Sequence, residues 1–174
     1  ANVITNKNRN KSWLYGYDDK YDMVIISKTG AIGDIISING LVIALPAIPK
    51  DTYKRSKAKG EQYWERNEIP RALSKIISIF KWNEKPSDFK NIWVDYIESE
   101  FDKREDGHWF MNNGTPTYIT GSHYMYLQWT KIDVGYPDFR EANRILYVYW
   151  EACKADKRSF GMDYLKIRRS GFSF

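Results

Sequence analysis

The last nine residues, KIRRSGFSF from Lys166 to Phe174, carry the most chemistry in this 174-residue chain. They follow a short apolar run, GMDYLKI, and contain a glycine–serine turn. A phosphate-binding loop needs a strand to deliver the chain and a small-residue turn whose N–H groups converge on an anion. It also needs a hydroxyl that helps hold Mg²⁺ and a cation for the β and γ oxygens. DYLKI can supply the strand, Arg169, Ser170 and Gly171 the turn, and Ser173 the hydroxyl. The G-x-x-x-x-G-K-[ST] string is absent, because Phe172 stands where its lysine would be. Lys166, Arg168 and Arg169 all lie in the loop or at its entrance. A lysine at the strand end, on its flexible four-carbon stem, can approach the same phosphates from the opposite wall. On pattern alone, a basic surface turn is the competing reading.

Other chemistry is thin. His108 and His123 have a single cysteine, Cys153, for company, so N and S ligands alone cannot close a zinc site. No nucleophile-elbow pattern places a serine, and both histidines read as polar or packing residues. The carboxylates of ESEFDKRED share a helix with lysine and arginine, as on a solvated ion-pair face.

Composition sets the frame around these residues. Hydrophobic residues make up 43% and charged residues 28%, which suits a folded chain and excludes disorder as its main state. Aromatic residues reach 16%, enough for a packed core and for surfaces that hold partners. The net charge of +5 favours polyanionic partners only weakly. One cysteine excludes an internal disulfide framework and points to a reducing compartment. The longest apolar run, LVIALPAI, is broken by Pro46 and falls far short of the roughly 20 residues that cross a bilayer. The polar start NVITNKNRNK has no signal-peptide pattern.

The elements that must position these residues read as α+β. SWLYGY, YDMVIIS, AIGDIISI and LVIAL are short strand-like runs, and Asn39-Gly40 between the last two is a strong hairpin signal. They predict a small antiparallel meander over residues 12–46, closed by the two prolines of PAIP. Residues 50–62 are polar and basic, either a solvated linker or a phosphate-contacting strip. Pro70 opens one predicted helix, with Leu73, Ile76, Ile77 and Phe80 on one face. A second helix is capped by Ser87 or Asp88, ends before Gly107, and carries the stripe Phe89, Ile92, Trp93, Tyr96, Ile97 and Phe101. HWFMNNGTPTYIT reads as a second hairpin turning at Asn112, Asn113 and Gly114, and Ser122 as the cap of a short helix through SHYMYLQWTKI. Asp138 and Glu141 form a capping box for the best-defined helix, whose predicted inner face is Phe139, Ala142, Ile145, Leu146, Tyr149, Trp150 and Cys153. GMDYLKI reads as a buried strand.

KIRRSGFS resembles the deviant Walker A loop of the large terminase subunits of tailed bacteriophages, in the form K-x-x-R-x-G-aromatic-S. Lys166, Arg169, Gly171, Phe172 and Ser173 match that form position by position. The likeness extends upstream through GHWFMNNGTPTYITGSHYMYLQWTKIDVGYPDFREANRILYVYWEACKAD, WLYGYDDKYDMVIISKTGAIGDI and NGLVIALP, which are similar to the crAss-like phage group. It covers most of residues 12–174.

The resemblance implies an ATP-driven motor subunit that packages double-stranded DNA into the procapsid, with an additional-strand P-loop ATPase and an RNase H-like nuclease. It implies ATP and Mg²⁺ as cofactors of the parent protein, with Lys166, Arg168, Arg169, Ser170, Gly171 and Ser173 at the nucleotide and Ser173 toward the metal. Viral DNA, the portal protein and the small terminase subunit are the implied partners. A homo-oligomeric ring is expected only of the full-length motor, in the host bacterial cytoplasm and transiently at the portal vertex, with no membrane role. An aromatic-plus-polar pair that embraces adenine in the family matches Phe139 and Arg140, although Arg140 replaces the usual glutamine; Tyr124 and Gln128 are alternatives.

The organisation expected is a β-rich region at 1–49, a basic linker and helical region at 50–115, and the start of a P-loop ATPase at 116–174. The family's Walker B and nuclease carboxylates lie downstream of the loop. The chain therefore reads as an amino-terminal fragment that contains no catalytic residue, binds little ATP and hydrolyses none by itself. The alternative is a non-catalytic module that docks DNA, portal or small subunit.

Overall fold

A computed structural model describes residues 16–19, 21–27, 30–49, 64–66, 87–133 and 135–165. The amino-terminal residues, the basic stretch 50–62, the predicted helix from Pro70 to Phe80 and the loop residues Lys166–Phe174 lie outside the described residues. The fold is mixed α and β, with two small sheets and three helices among the described residues.

Four strands, β1 (Gly16–Asp18), β2 (Met23–Ile25), β3 (Ile32–Ile38) and β4 (Leu41–Pro46), form one sheet in the order β1-β2-β4-β3. The expected all-antiparallel meander is corrected here: β4 inserts between β2 and β3 and runs parallel to β2. Side-chain patterning explains the exchange. β4 is apolar on both faces and β3 is not, so β4 takes the interior and β3, with Asp34 and Ser37 exposed, takes the edge. Val24, Ile26, Ile43 and Leu45 face one core, while Met23, Ile25 and Ala44 face the other. The β3–β4 turn is the two-residue loop expected, with φ of +50° at Asn39 and +82° at Gly40. The β3–β4 register shifts between Ile32 and Ile35, a bulge that takes in Asp34.

The 20-residue helix α1 (Ser87–Asp106) ends where glycine is needed: Gly107 has φ +80°, and an added Cβ would lie 2.4 Å from the Ile119 carbonyl oxygen. The predicted apolar stripe on α1 is incomplete, since Phe101 is half exposed and Glu100 is buried instead. The hairpin of β5 (His108–Asn112) and β6 (Thr115–Ile119) turns at Asn113-Gly114, with φ of +50° and +83°. The boundary expected at 115/116 falls inside this hairpin.

Helix α2 (Gly121–Trp129) is capped by Thr120, whose Oγ1 accepts the His123 N–H at 3.4 Å. The expected cap, Ser122, instead donates its hydroxyl to Glu151. Helix α3 (Glu141–Ala155) starts later than a capping box at Asp138 requires. Its cap is Arg140, with no side-chain cap bond, and Glu141 is occupied with Arg144. The inner face of α3 is also rotated from the expected one: Asn143, Val148, Glu151, Ala152 and Ala155 are buried, whereas Ile145 and Trp150 are 40% and 41% exposed. Small residues decide this. Ala152 and Ala155 let α3 approach β1 and β2 closely, and Val24, Ile43, Leu45, Tyr118 and Val148 complete that core. The amino-terminal sheet and α3 thus share one hydrophobic core.

Beyond α3, Arg158 ties the chain to β1. Its guanidinium lies 3.6 Å over the Tyr17 ring, Nη1 donates to Tyr17 Oη at 2.8 Å, and Nε and Nη2 hold the Asp156 carboxylate at 3.0 and 2.9 Å. The strand expected in GMDYLKI does not form over its described residues 161–165, where Leu165 is 97% exposed. A strand exists only by pairing, and none of the strands formed by the described residues pairs with this segment.

An added Cβ at Gly121 would sit 1.8 Å from the Arg104 carbonyl oxygen, with no room on either backbone. Gly121→Ala is therefore expected to destabilise the fold by about 2–3 kcal/mol. Urea denaturation of the two proteins measures the difference.

Candidate functional site: a buried carboxylate hub and a polar cleft

The phosphate-loop candidates Lys166, Arg168, Arg169, Ser170, Gly171 and Ser173 lie outside the described residues. The adenine candidates are described, and three of the four are packed away. Tyr124 is fully buried, and its hydroxyl donates to Glu100 Oε1 and Oε2 at 2.9 and 2.8 Å. Gln128 is buried; its Oε1 accepts Trp64 Nε1–H at 3.3 Å, and its backbone carbonyl accepts Arg66 Nε–H at 3.1 Å. Phe139 is buried with its ring 5.2 Å from Phe110 and 5.7 Å from His123. Tyr124 and Phe139 share one cluster with Trp64, Ile119 and Leu127. As contacts for an incoming base, Tyr124, Gln128 and Phe139 are closed: their faces and polar atoms already serve the core. Arg140 alone is exposed.

What the structure builds around Tyr124 is a hub that the sequence did not reveal. Glu100, 4% exposed, also accepts Trp129 Nε1–H at 3.0 Å and Lys103 Nζ–H at 2.8 Å. Burial pushes the Glu100 pKa up, but the hydrogen bonds from Lys103, Tyr124 and Trp129 outweigh it and hold the carboxylate below its ordinary value. The expectation of a solvated ion-pair face for ESEFDKRED is corrected at this residue. A carboxylate three residues before a lysine was visible in sequence, but its other two donors come from α2, across a helix–helix contact.

The two histidines are packing residues, as their isolation from cysteine suggested. His108 meets the Trp64 ring edge-on at 5.9 Å, and His123 stacks on Tyr147 at 4.8 Å with 16° between planes. Among the described residues, neither ring nitrogen of His123 has a hydrogen-bond partner. Burial, aided by Lys103, lowers the His108 pKa to about 4; burial, aided by Arg144, lowers that of His123 to about 3.

A cleft of about 360 Å³ opens where the sheet, the β5–β6 hairpin and the start of α3 meet. Its apolar wall is Ile36, Leu45, Trp109 and Tyr118, and its polar groups include Asp34, Asn112, Thr115, Thr117, Glu141 and Arg144. Arg144 Nε donates to Glu141 Oε1 and Oε2 at 2.8 and 2.9 Å, so this cation is already neutralised. Among the described residues, no group of His, Cys, Asp and Glu is arranged to hold a metal ion. No protein-family model, curated protein or solved structure matches this chain.

Two measurements probe these buried groups. Glu100→Ala leaves the Tyr124 hydroxyl, the Trp129 indole and Lys103 without their acceptor, and a loss of about 3–5 kcal/mol in urea-unfolding free energy is expected. Acid acts through the histidines. Their folded pKa values lie below the ordinary 6.5, so the unfolded chain binds more protons below that pH. Stability is then full above pH 6.5 and falls with acidification by up to about 1.4 kcal/mol per pH unit for each histidine, until about pH 4 for His108 and about pH 3 for His123. His123→Phe, which keeps the stacked ring, is expected to halve the slope between pH 6 and 4; an unchanged slope would show that His123 does not carry it.

Proposed function

We propose that this chain is the amino-terminal part of a terminase large subunit, the ATP-driven motor that moves viral double-stranded DNA through a portal into the procapsid. One observation carries the reading: Lys166, Arg169, Gly171, Phe172 and Ser173 stand at the spacing K-x-x-R-x-G-aromatic-S. A mixed α/β scaffold is compatible with it. In this reading the Lys166 ammonium and the Arg168 and Arg169 guanidinium groups neutralise the triphosphate, and the Ser170-Gly171 turn offers its N–H groups. The Ser173 hydroxyl is directed to Mg²⁺. ATP, when bound, supplies the free energy of translocation. Arg140 is the adenine-side candidate with an exposed side chain.

A second reading is a non-catalytic docking module for portal, small subunit or DNA; its protein-docking form is favoured by large apolar side chains left exposed: Trp150 at 41%, Phe160 at 107% and Leu165 at 97%. In the parent protein, Lys166→Ala is expected to lower DNA-dependent ATP turnover at least about a hundredfold. DNA binding by the same variant should change little. Turnover within twofold of the unsubstituted protein would remove the nucleotide role and leave the docking reading.

A further inference from the structure

The cleft has a chemistry of its own, independent of the terminase reading. The three charged groups among its described lining residues do not cancel. Arg144 is held by both oxygens of Glu141, which removes one charge of each sign. Asp34 is left over: among the described residues its carboxylate takes part in no hydrogen bond or ion pair. It sits at the β3 bulge, the kind of irregularity that re-aims a side chain from the run of its strand, and it lines the cleft. Asn112 lines the same cleft, is nine-tenths buried, and its Oδ1 has no hydrogen-bond partner among the described residues. A buried amide oxygen without a donor carries an uncompensated desolvation cost, which a ligand donor relieves. The Trp109 ring, packed 5.6 Å from Tyr118, adds an aromatic wall.

These features select one kind of ligand. Among the described residues, Asp34 and the buried Asn112 Oδ1 are both acceptors without partners, so the ligand that suits them is a donor. The charge left over is negative, so the ligand is a cation. An aromatic wall beside a carboxylate suits a flat or compact cation that can meet a ring face. The volume lies at the low end for ligand sites, which fits a side chain or a small molecule. We propose that this cleft binds a guanidinium or alkylammonium group, presented by an arginine or lysine side chain of a partner or by a free small amine. An anion is disfavoured there, because among the described lining residues the one guanidinium, Arg144, is paired with Glu141 and the net charge is negative.

The test uses NMR titration of the chain, following the Trp109 indole and Asn112 side-chain amide signals. Butylguanidine is expected to shift both signals saturably, and butylurea, the same shape without the charge, is not. Asp34→Asn changes an exposed strand-edge residue and is expected to leave the spectrum otherwise intact while weakening butylguanidine at least about tenfold. A capped Gly-Arg-Gly peptide separates the sources: tighter binding than butylguanidine identifies a partner's side chain, and equal or weaker binding identifies a free small cation. Equal response to butylurea, an unchanged affinity in Asp34→Asn, or no cleft-localised shift with any probe would overturn the proposal.

Discussion

One buried negative charge organises the helical half of this protein. Glu100 projects from α1 into an aromatic cluster and is held there by the Tyr124 hydroxyl and the Trp129 indole, both on α2, and by Lys103 from its own helix. A carboxylate taken out of water in this way is tolerable only while its donors remain in place. That condition fixes the rotation of α1 about its axis and the seating of α2 against it. The approach is close enough that only glycine fits at residue 121. Tyr124 in turn abuts Trp64 and His108, so the hub extends to the first residue of β5 and to a segment far upstream in sequence.

The other half depends on apolar packing. β2 and β4 lie side by side in the middle of the sheet, and α3 covers one of their faces with Val148, Ala152 and Ala155. The two halves meet at Tyr118, whose ring joins that core while its hydroxyl donates to the Asp106 carbonyl at the end of α1. The cleft is a consequence of this geometry. It opens where a bulged edge strand, a two-residue hairpin and the start of a helix come together without filling the space between them.

Several elements were legible from residue type alone because their causes are local. Asn39-Gly40 and Asn113-Gly114 each require positive φ at two successive residues, and few other dipeptides accept it. Gly107 stops α1 for the same reason. The candidate site was much less legible. Phe139, Tyr124 and Gln128 have the residue types of a base contact, yet they are buried because the core needs the same ring faces and hydrogen-bonding atoms. Asp34 carried no motif and Asn112 only a turn signal; they matter through the surroundings that leave their oxygens without donors among the described residues.

What the sequence determined by itself is the presence of short strands and amphipathic helices, their turns, and a basic glycine–serine run after residue 165. Each of these follows from steric or charge properties spanning a few residues. Strand order, the inner face of α3 and the burial of Glu100 were decided only in three dimensions. Periodicity states that a helix has an apolar side, but whether that side or its small-residue neighbour faces the core depends on which surface must approach most closely. For α3 the demand was close contact with a sheet, and alanine met it where tryptophan and isoleucine could not.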